Sequence, residues 1–84
     1  MKHADASALD QLEPLLSKLR KCAGLKEKQR GVFYRKSKAF LHFHEDPAGL
    51  FADLRAGAGW ERLPAGTRAE QAIVLARVKA AMRT

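Results

Sequence analysis

A stripe of leucines at helical spacing is the first regular pattern along the chain. The leucines recur at intervals of three or four residues: Leu9, Leu12, Leu16 and Leu19. This spacing predicts an amphipathic helix of about 12–16 residues. Asp10 with Glu13 fits a capping box, and proline is tolerated best in the first turn of a helix. We therefore expect the helix to begin near Asp10 or to bend at Pro14, and Gly24 is suited to end it.

The middle of the chain changes to a pattern typical of β-strands. Two β-prone runs, Val32–Arg35 and residues 39–45, flank a short polar connection. Side chains alternate between the two faces of a strand, so Leu41 and Phe43 point to one face, which we interpret as the core face. Three side chains share the opposite face: Phe40, His42 and His44. The preceding polar residues, 26–30, show no period and are predicted to form a loop.

Residues 46–49 allow two interpretations. In a β-turn, Asp46, Pro47 and Gly49 would each occupy a favoured position, and the turn would lead into a third strand at residues 50–55. In a helix, Asp46 would be the N-cap and Pro47 the first helical residue. The hairpin is favoured, because glycine would weaken the first turn of such a helix.

The last third of the chain predicts one more strand and a closing helix. Residues 56–59 form a glycine-containing break, and residues 60–63 form a possible fourth strand ended by Pro64. Thr67 with Glu70 fits a capping box that opens the helix. The whole pattern predicts an α+β fold in the order α-β-β-β-(β)-α, with both helices packed on one face of the sheet.

Length and cysteine content limit the class of protein. Eighty-four residues make one domain, in which residues 1–8 are predicted to be flexible. A domain this short buries only about 60–65% of its unfolded surface, so we expect a homodimer. The single cysteine, Cys22, excludes an internal disulfide and a cysteine-ligated zinc site. The sequence has no apolar run long enough to cross a membrane, and the protein is predicted to be cytoplasmic.

The net charge of +7 is distributed unevenly. Residues 18–38 carry nine basic side chains and one acidic side chain, Glu27. Aromatic residues lie in the same region, and sheet aromatics beside cations stack on bases while the cations hold phosphates. This pattern predicts an anionic partner such as a nucleic acid. The candidate residues are Lys26, Lys28, Arg30, Arg35, Lys36 and Lys38.

Two histidines form a candidate metal site. His42 and His44 leave the same face of a predicted strand, with Cα atoms about 6.5–7 Å apart, and imidazoles at this spacing can bind one zinc ion. Asp46, two residues after His44, would point to the same face and is the third candidate ligand. The alternative interpretation is that both histidines are half-exposed strand residues beside Phe40.

The sequence contains no motif that predicts catalysis. It lacks a nucleophile elbow and a glycine-rich phosphate loop. We therefore predict no catalytic residues and no cofactor, and an enzyme is disfavoured.

One stretch resembles a known group of proteins. Residues 31–46, GVFYRKSKAFLHFHED, are followed by GLFADLR at residues 49–55, by Trp60-Glu-Arg and by the closing helix. This arrangement resembles short bacterial hypothetical proteins that consist of a single domain of unknown function with an FLHFHED core. The resemblance implies no activity. It gives extra weight to five residues: His42, His44, Glu45, Asp46 and Arg55.

These patterns together predict a non-catalytic binding or interaction module that forms a homodimer. Its partner surface is expected to include Phe33, Phe40 and Trp60. One alternative is a nucleic-acid-binding protein that uses the basic segment 18–38. The other is a metal or catalytic site at His42 and His44.

Overall fold

A computed structural model describes residues 2–83, which form one antiparallel sheet with two helices on one face. The elements are β1 (Lys2–His3), α1 (Ala6–Arg20), β2 (Lys26–Gln29), β3 (Val32–Arg35), β4 (Lys38–Asp46), β5 (Gly49–Ala56), β6 (Gly59–Pro64) and α2 (Arg68–Ala81). The strand order is β2-β3-β4-β5-β6, and β1 pairs with β4. The predicted α+β fold is confirmed.

The N-terminal residues belong to the sheet. Strand β3 pairs with the first half of β4, and β1 pairs with the second half through His3 and His44. The backbone N–H of Asp5 donates to the Glu45 carboxylate at 2.9 Å. Residues 1–8 are predicted from the sequence to be flexible; in the structure, residues 2–3 form β1 and residues 6–8 are the first residues of α1. Residue 1 lies outside the described part of the chain.

Helix α1 begins earlier than its leucine pattern predicts. Asp5 is the N-cap, and its carboxylate accepts the N–H of Ala8 at 3.0 Å. Pro14 therefore lies inside the helix, so the predicted start near Asp10 is wrong. Pro14 is exposed, where water can solvate the carbonyl that its missing N–H leaves unpaired.

A β-bulge decides which side chains enter the core. Phe33 pairs with Leu41 but Tyr34 pairs with Ala39, so Phe40 is an extra residue in β4. The bulge turns Phe40 into the core, where only 4% of it is exposed, and Phe33 is fully buried beside it. The predicted placement of Phe40 beside the histidines is wrong.

The same burial corrects the predicted partner surface. Phe33 and Phe40 pack beneath the helices and contribute no area to it. Trp60, in contrast, is 45% exposed. It lies on the side of the sheet opposite the helices, which we call the open face; its ring contacts His42.

The hairpins follow tight turns. Lys36 and Ser37 both have positive φ angles, 54° and 68°, as a two-residue type I′ turn requires. Asp46 pairs with Gly49 across the next turn, which confirms the hairpin interpretation. Residues 26–29 form edge strand β2 instead of the predicted loop; three of its four residues are exposed, so it carries no hydrophobic alternation.

Helix α2 begins at the predicted capping box of Thr67 and Glu70. Val74 and Val78 are buried against the sheet, whereas Ile73 is 57% exposed. Within the described residues, neither helix has the length and apolarity needed to cross a membrane.

Glu27 links α1 to the β2–β3 turn. Its carboxylate accepts Arg20 Nε–H at 2.6 Å and the Gly31 N–H at 2.9 Å. The Arg20 guanidinium holds the pKa of Glu27 below its ordinary value, with a further lowering from the Gly31 N–H.

Glu27→Gln is expected to lower the free energy of unfolding by about 1 kcal/mol at pH 7. The pKa of Glu27 is lower in the folded than in the unfolded state, so this contribution is complete above the unfolded pKa and is lost as pH falls through the folded pKa. Urea unfolding of both proteins from pH 7 to pH 3 measures the difference. A difference that stays constant over this range would contradict a charge-dependent role.

Candidate functional site

Cross-strand register brings four polar side chains together on the open face. Strand β4 places His42 opposite Asp53 of β5, and Asp53 is in turn opposite Arg62 of β6. His44 lies two residues along β4, on the same face. Because the three strands are adjacent in the sheet, these side chains meet near its centre.

Asp53 is the anionic centre of this group. It is only 7% exposed, and Arg62 donates to both of its carboxylate oxygens, at 2.8 and 3.0 Å. The Arg62 guanidinium holds the pKa of Asp53 below its ordinary value. Asp53 is therefore an ionised carboxylate with a fixed orientation at neutral pH.

The two histidines contact this carboxylate differently. Nδ1 of His44 is buried and lies 2.7 Å from Asp53 Oδ2, and it has no further partner among the described residues. Nδ1 of His42 is also buried without a partner. Burial, together with the neighbouring His44, lowers the pKa of His42, which favours a neutral imidazole.

Planar groups form a continuous row across the open face. The ring centroids of His3 and His44 are 4.7 Å apart, those of His44 and His42 are 5.2 Å apart, and those of His42 and Trp60 are 4.8 Å apart. The Arg55 guanidinium lies 4.5 Å from the Trp60 ring centroid. We call these five side chains the ring row. Beside it lies a cavity of about 530 Å³ that is lined by His42, Asp53, Trp60 and Arg62.

A cationic pocket adjoins one end of the ring row. It has a volume of about 480 Å³ and lies between the β3–β4 turn, the β5–β6 turn and the second half of α2. Five basic side chains line it, and none of its lining residues is acidic: Arg35, Lys36, Lys38, Arg55 and Arg77. Arg55 belongs to both sites, because it stacks on Trp60 and its Nε–H donates to the Ala39 carbonyl at 2.8 Å.

The predicted basic residues do not form one surface. Arg30 donates to the carboxylates of Asp10 and Glu13 at 2.9 and 3.0 Å, so its charge is neutralised. Lys26 and Lys28 lie on edge strand β2, where Lys28 Nζ is 5.0 Å from the Tyr34 ring centroid.

The other three predicted cations, Arg35, Lys36 and Lys38, line the pocket. Arg35 also donates to the α2 carbonyl of Ala81 at 3.4 Å and to that of Met82 at 2.8 Å. The sequence analysis missed Arg55 and Arg77 as members of the same pocket, since they come from β5 and α2.

Asp46, the predicted third metal ligand, does not belong to the group of potential ligands that the described residues bring together. Asp46 lies at the end of β4, and its Oδ1 accepts the Ala48 N–H at 2.8 Å. Among the described residues, the potential metal ligands that lie close together are His42, His44 and Asp53, whose ligand atoms are all within 4.8 Å of one another. The hairpin register predicts that Asp53 lies beside the histidines, because a turn that pairs residue 46 with residue 49 also pairs residue 42 with residue 53.

Comparisons with protein-family models, with curated proteins and with solved structures find no match to this chain. The resemblance to short bacterial proteins therefore stays a prediction, and the functional argument rests on the geometry of the two sites.

Proposed function

We propose that this protein is a non-catalytic binding module for single-stranded nucleic acid. One observation carries the proposal: the ring row, in which Trp60 is 45% exposed, ends at Arg55, which also lines the cationic pocket. Bases would stack on the open face while the phosphates of the same strand occupy the cationic pocket.

The ring row fits bases of an unpaired strand. Trp60 is the large exposed aromatic of the open face, and base–aromatic stacking contributes about 1–3 kcal/mol per base. Arg55 covers one side of Trp60, and guanidinium groups also stack on bases. Stacking needs unpaired bases, so a single strand should bind more tightly than a duplex.

The cationic pocket fits phosphate groups. Lys36 lies in the tight β3–β4 turn, Lys38 follows it, and both are exposed, so both ammonium groups can approach a backbone phosphate. Arg77 is already paired with Glu61 at 2.5 Å, and we assign it a smaller share of the binding. Phosphate contacts release counterions, which makes the affinity depend on salt.

A second copy of the chain, bound in a homodimer, is the alternative occupant of the open face. The predicted interaction module loses Phe33 and Phe40 to the core, which leaves Trp60 as its exposed aromatic anchor. If a second copy covered this face, Trp60 would be shielded in the absence of nucleic acid, and light scattering would report a mass that rises with protein concentration.

Binding is tested with fluorescent single-stranded RNA and DNA, using anisotropy at 50 and 200 mM salt. Trp60 is the sole tryptophan, so quenching of its emission reports stacking at the open face itself. Trp60→Ala is expected to weaken binding about 5- to 150-fold, the equivalent of one stacked base. Lys36→Glu with Lys38→Glu should reduce the steepness of the salt dependence by about 1–1.5 in log–log slope.

The matched control reverses two cations on the helix side of the molecule. Lys18 and Arg68 are exposed and line a small cavity between α1 and α2. Lys18→Glu with Arg68→Glu makes the same change in net charge, but it should alter the affinity little. Equal losses in both double variants would mean that only net charge matters and would contradict the site. Competition by inorganic phosphate at equal affinity would assign the pocket to a small anion.

A further inference from the structure

A buried imidazole nitrogen on the open face, Nδ1 of His42, has no hydrogen-bond partner among the described residues. Nδ1 of His44 is also buried, and it lies 2.7 Å from Asp53 Oδ2. Unpaired buried polar atoms are uncommon in native proteins, and one frequent cause is an ion or water that belongs to the site. Both nitrogens are on the same strand and face, beside the ionised carboxylate of Asp53.

We propose that His42, His44 and Asp53 form a binding site for a divalent transition-metal ion of the zinc class. Their ligand atoms lie within 4.8 Å of one another. A tetrahedral zinc ion with bonds near 2.0–2.2 Å holds its ligand atoms about 3.3–3.5 Å apart. Binding would therefore require the three side chains to rotate until their ligand atoms reach this spacing.

The donor set selects the kind of ion. Imidazole nitrogen suits zinc, copper, nickel and iron, whereas magnesium and calcium prefer sites made of oxygen ligands. Two histidines with one carboxylate are also a zinc set that leaves a fourth position free. The cavity beside His42 and Asp53 is open, so water or a small anion can occupy that position.

Arg62 acts as a positioning residue for this site. It donates to both oxygens of Asp53 and so fixes the carboxylate plane. An ionised carboxylate offers about four lone-pair sites, which leaves capacity for a metal after the two bonds to Arg62. The guanidinium charge also repels a dication, so the affinity is expected to be lower than that of a site without Arg62.

The metal proposal does not depend on nucleic-acid binding. Two of its ligands, His42 and His44, also belong to the ring row. The main contacts to bases and phosphates are assigned to other side chains, Trp60, Lys36 and Lys38. Trp60→Ala should weaken nucleic-acid binding and keep the metal, whereas His44→Ala should lose the metal. Failure of one proposal is therefore distinguishable from failure of the other.

The experiment uses the full, untagged chain, purified without nickel resin and treated with a chelator. Calorimetric titration with zinc chloride should give one ion per chain, and cobalt should give the visible absorption of a four- or five-coordinate ion. His42→Ala and His44→Ala should each weaken zinc binding by at least about 100-fold, since even outer-shell changes cost 10–100-fold.

His3→Ala is the matched control. Its ring lies 4.7 Å from that of His44, but His3 is not in the ligand group, so the zinc affinity should be retained. An equal loss in His3→Ala would overturn the proposed ligand set. Zinc binding retained in His44→Ala, or no saturable binding at one ion per chain, would overturn the site.

A measurement on the unaltered protein keeps the test independent of variant folding. Imidazole nitrogen resonances of His42 and His44 should shift in proportion to added zinc and stop at one equivalent. If these two resonances stay unchanged while zinc binds, the ion lies elsewhere and the proposal fails.

Discussion

Replacement of Phe33 by alanine is expected to lower the free energy of unfolding by about 3–5 kcal/mol. Phe33 is fully buried and belongs to the core cluster. An 84-residue domain has a total stability of only about 4–12 kcal/mol, so this loss removes a large share of it. Urea unfolding followed by circular dichroism measures the loss.

Phe33→Leu provides the control, because it removes fewer buried atoms than Phe33→Ala and should therefore cost less stability. The same pair of variants distinguishes a core residue from a partner-surface residue. If Phe33→Ala kept its stability and lost only self-association, the burial of this ring would be wrong.

Replacement of Gly31 by alanine is the second large effect, with an expected loss of about 2–3 kcal/mol. Gly31 is buried and has a φ angle of +82°, which L-residues rarely adopt. A Cβ atom there would lie 2.6 Å from Leu9 Cδ2. The added methyl group therefore strains the backbone and displaces a side chain of α1.

Gly57 separates these two causes. Its φ angle is +61°, but a Cβ atom there would meet nothing within 4 Å. Gly57→Ala should therefore show only the backbone cost, about 1 kcal/mol. Combining Gly31→Ala with Leu9→Ala should recover part of the loss, because the two positions are in contact and their effects are coupled. Thermal and urea unfolding of these three variants and of Leu9→Ala alone give the values. Equal losses at Gly31 and Gly57 would contradict the close contact with α1.

Local sequence signals predicted much of the fold. The Thr67 and Glu70 capping box sets the start of α2, and the turn at residues 46–49 sets the register of β4 and β5. This register also determines that His42 and Asp53 are opposite each other. The candidate metal site could therefore have been predicted from the sequence, by extending the hairpin register from the turn to every cross-strand residue pair of β4 and β5.

Other features depend on tertiary contacts that local patterns do not contain. The bulge at Phe40 shifts the side-chain alternation of β4 by one residue. The residue types in β4 do not predict a bulge at this position. Strand β2 has no alternating burial, because it is an exposed edge. Arg77 reaches the cationic pocket from α2, and its sequence distance from Lys36 hides this proximity.

The strands at the two ends of the sheet order, β2 and β6, carry residues that oppose aggregation. Unpaired strand edges are templates for adding further strands, and charged residues and proline on an edge oppose this. Lys26, Glu27 and Lys28 follow one another on β2, and β6 ends at Pro64, which has no N–H to donate. Polymerisation of the sheet from edge to edge is thus disfavoured at both sides, so growth into fibres is opposed even though one broad face of the sheet remains uncovered by helices.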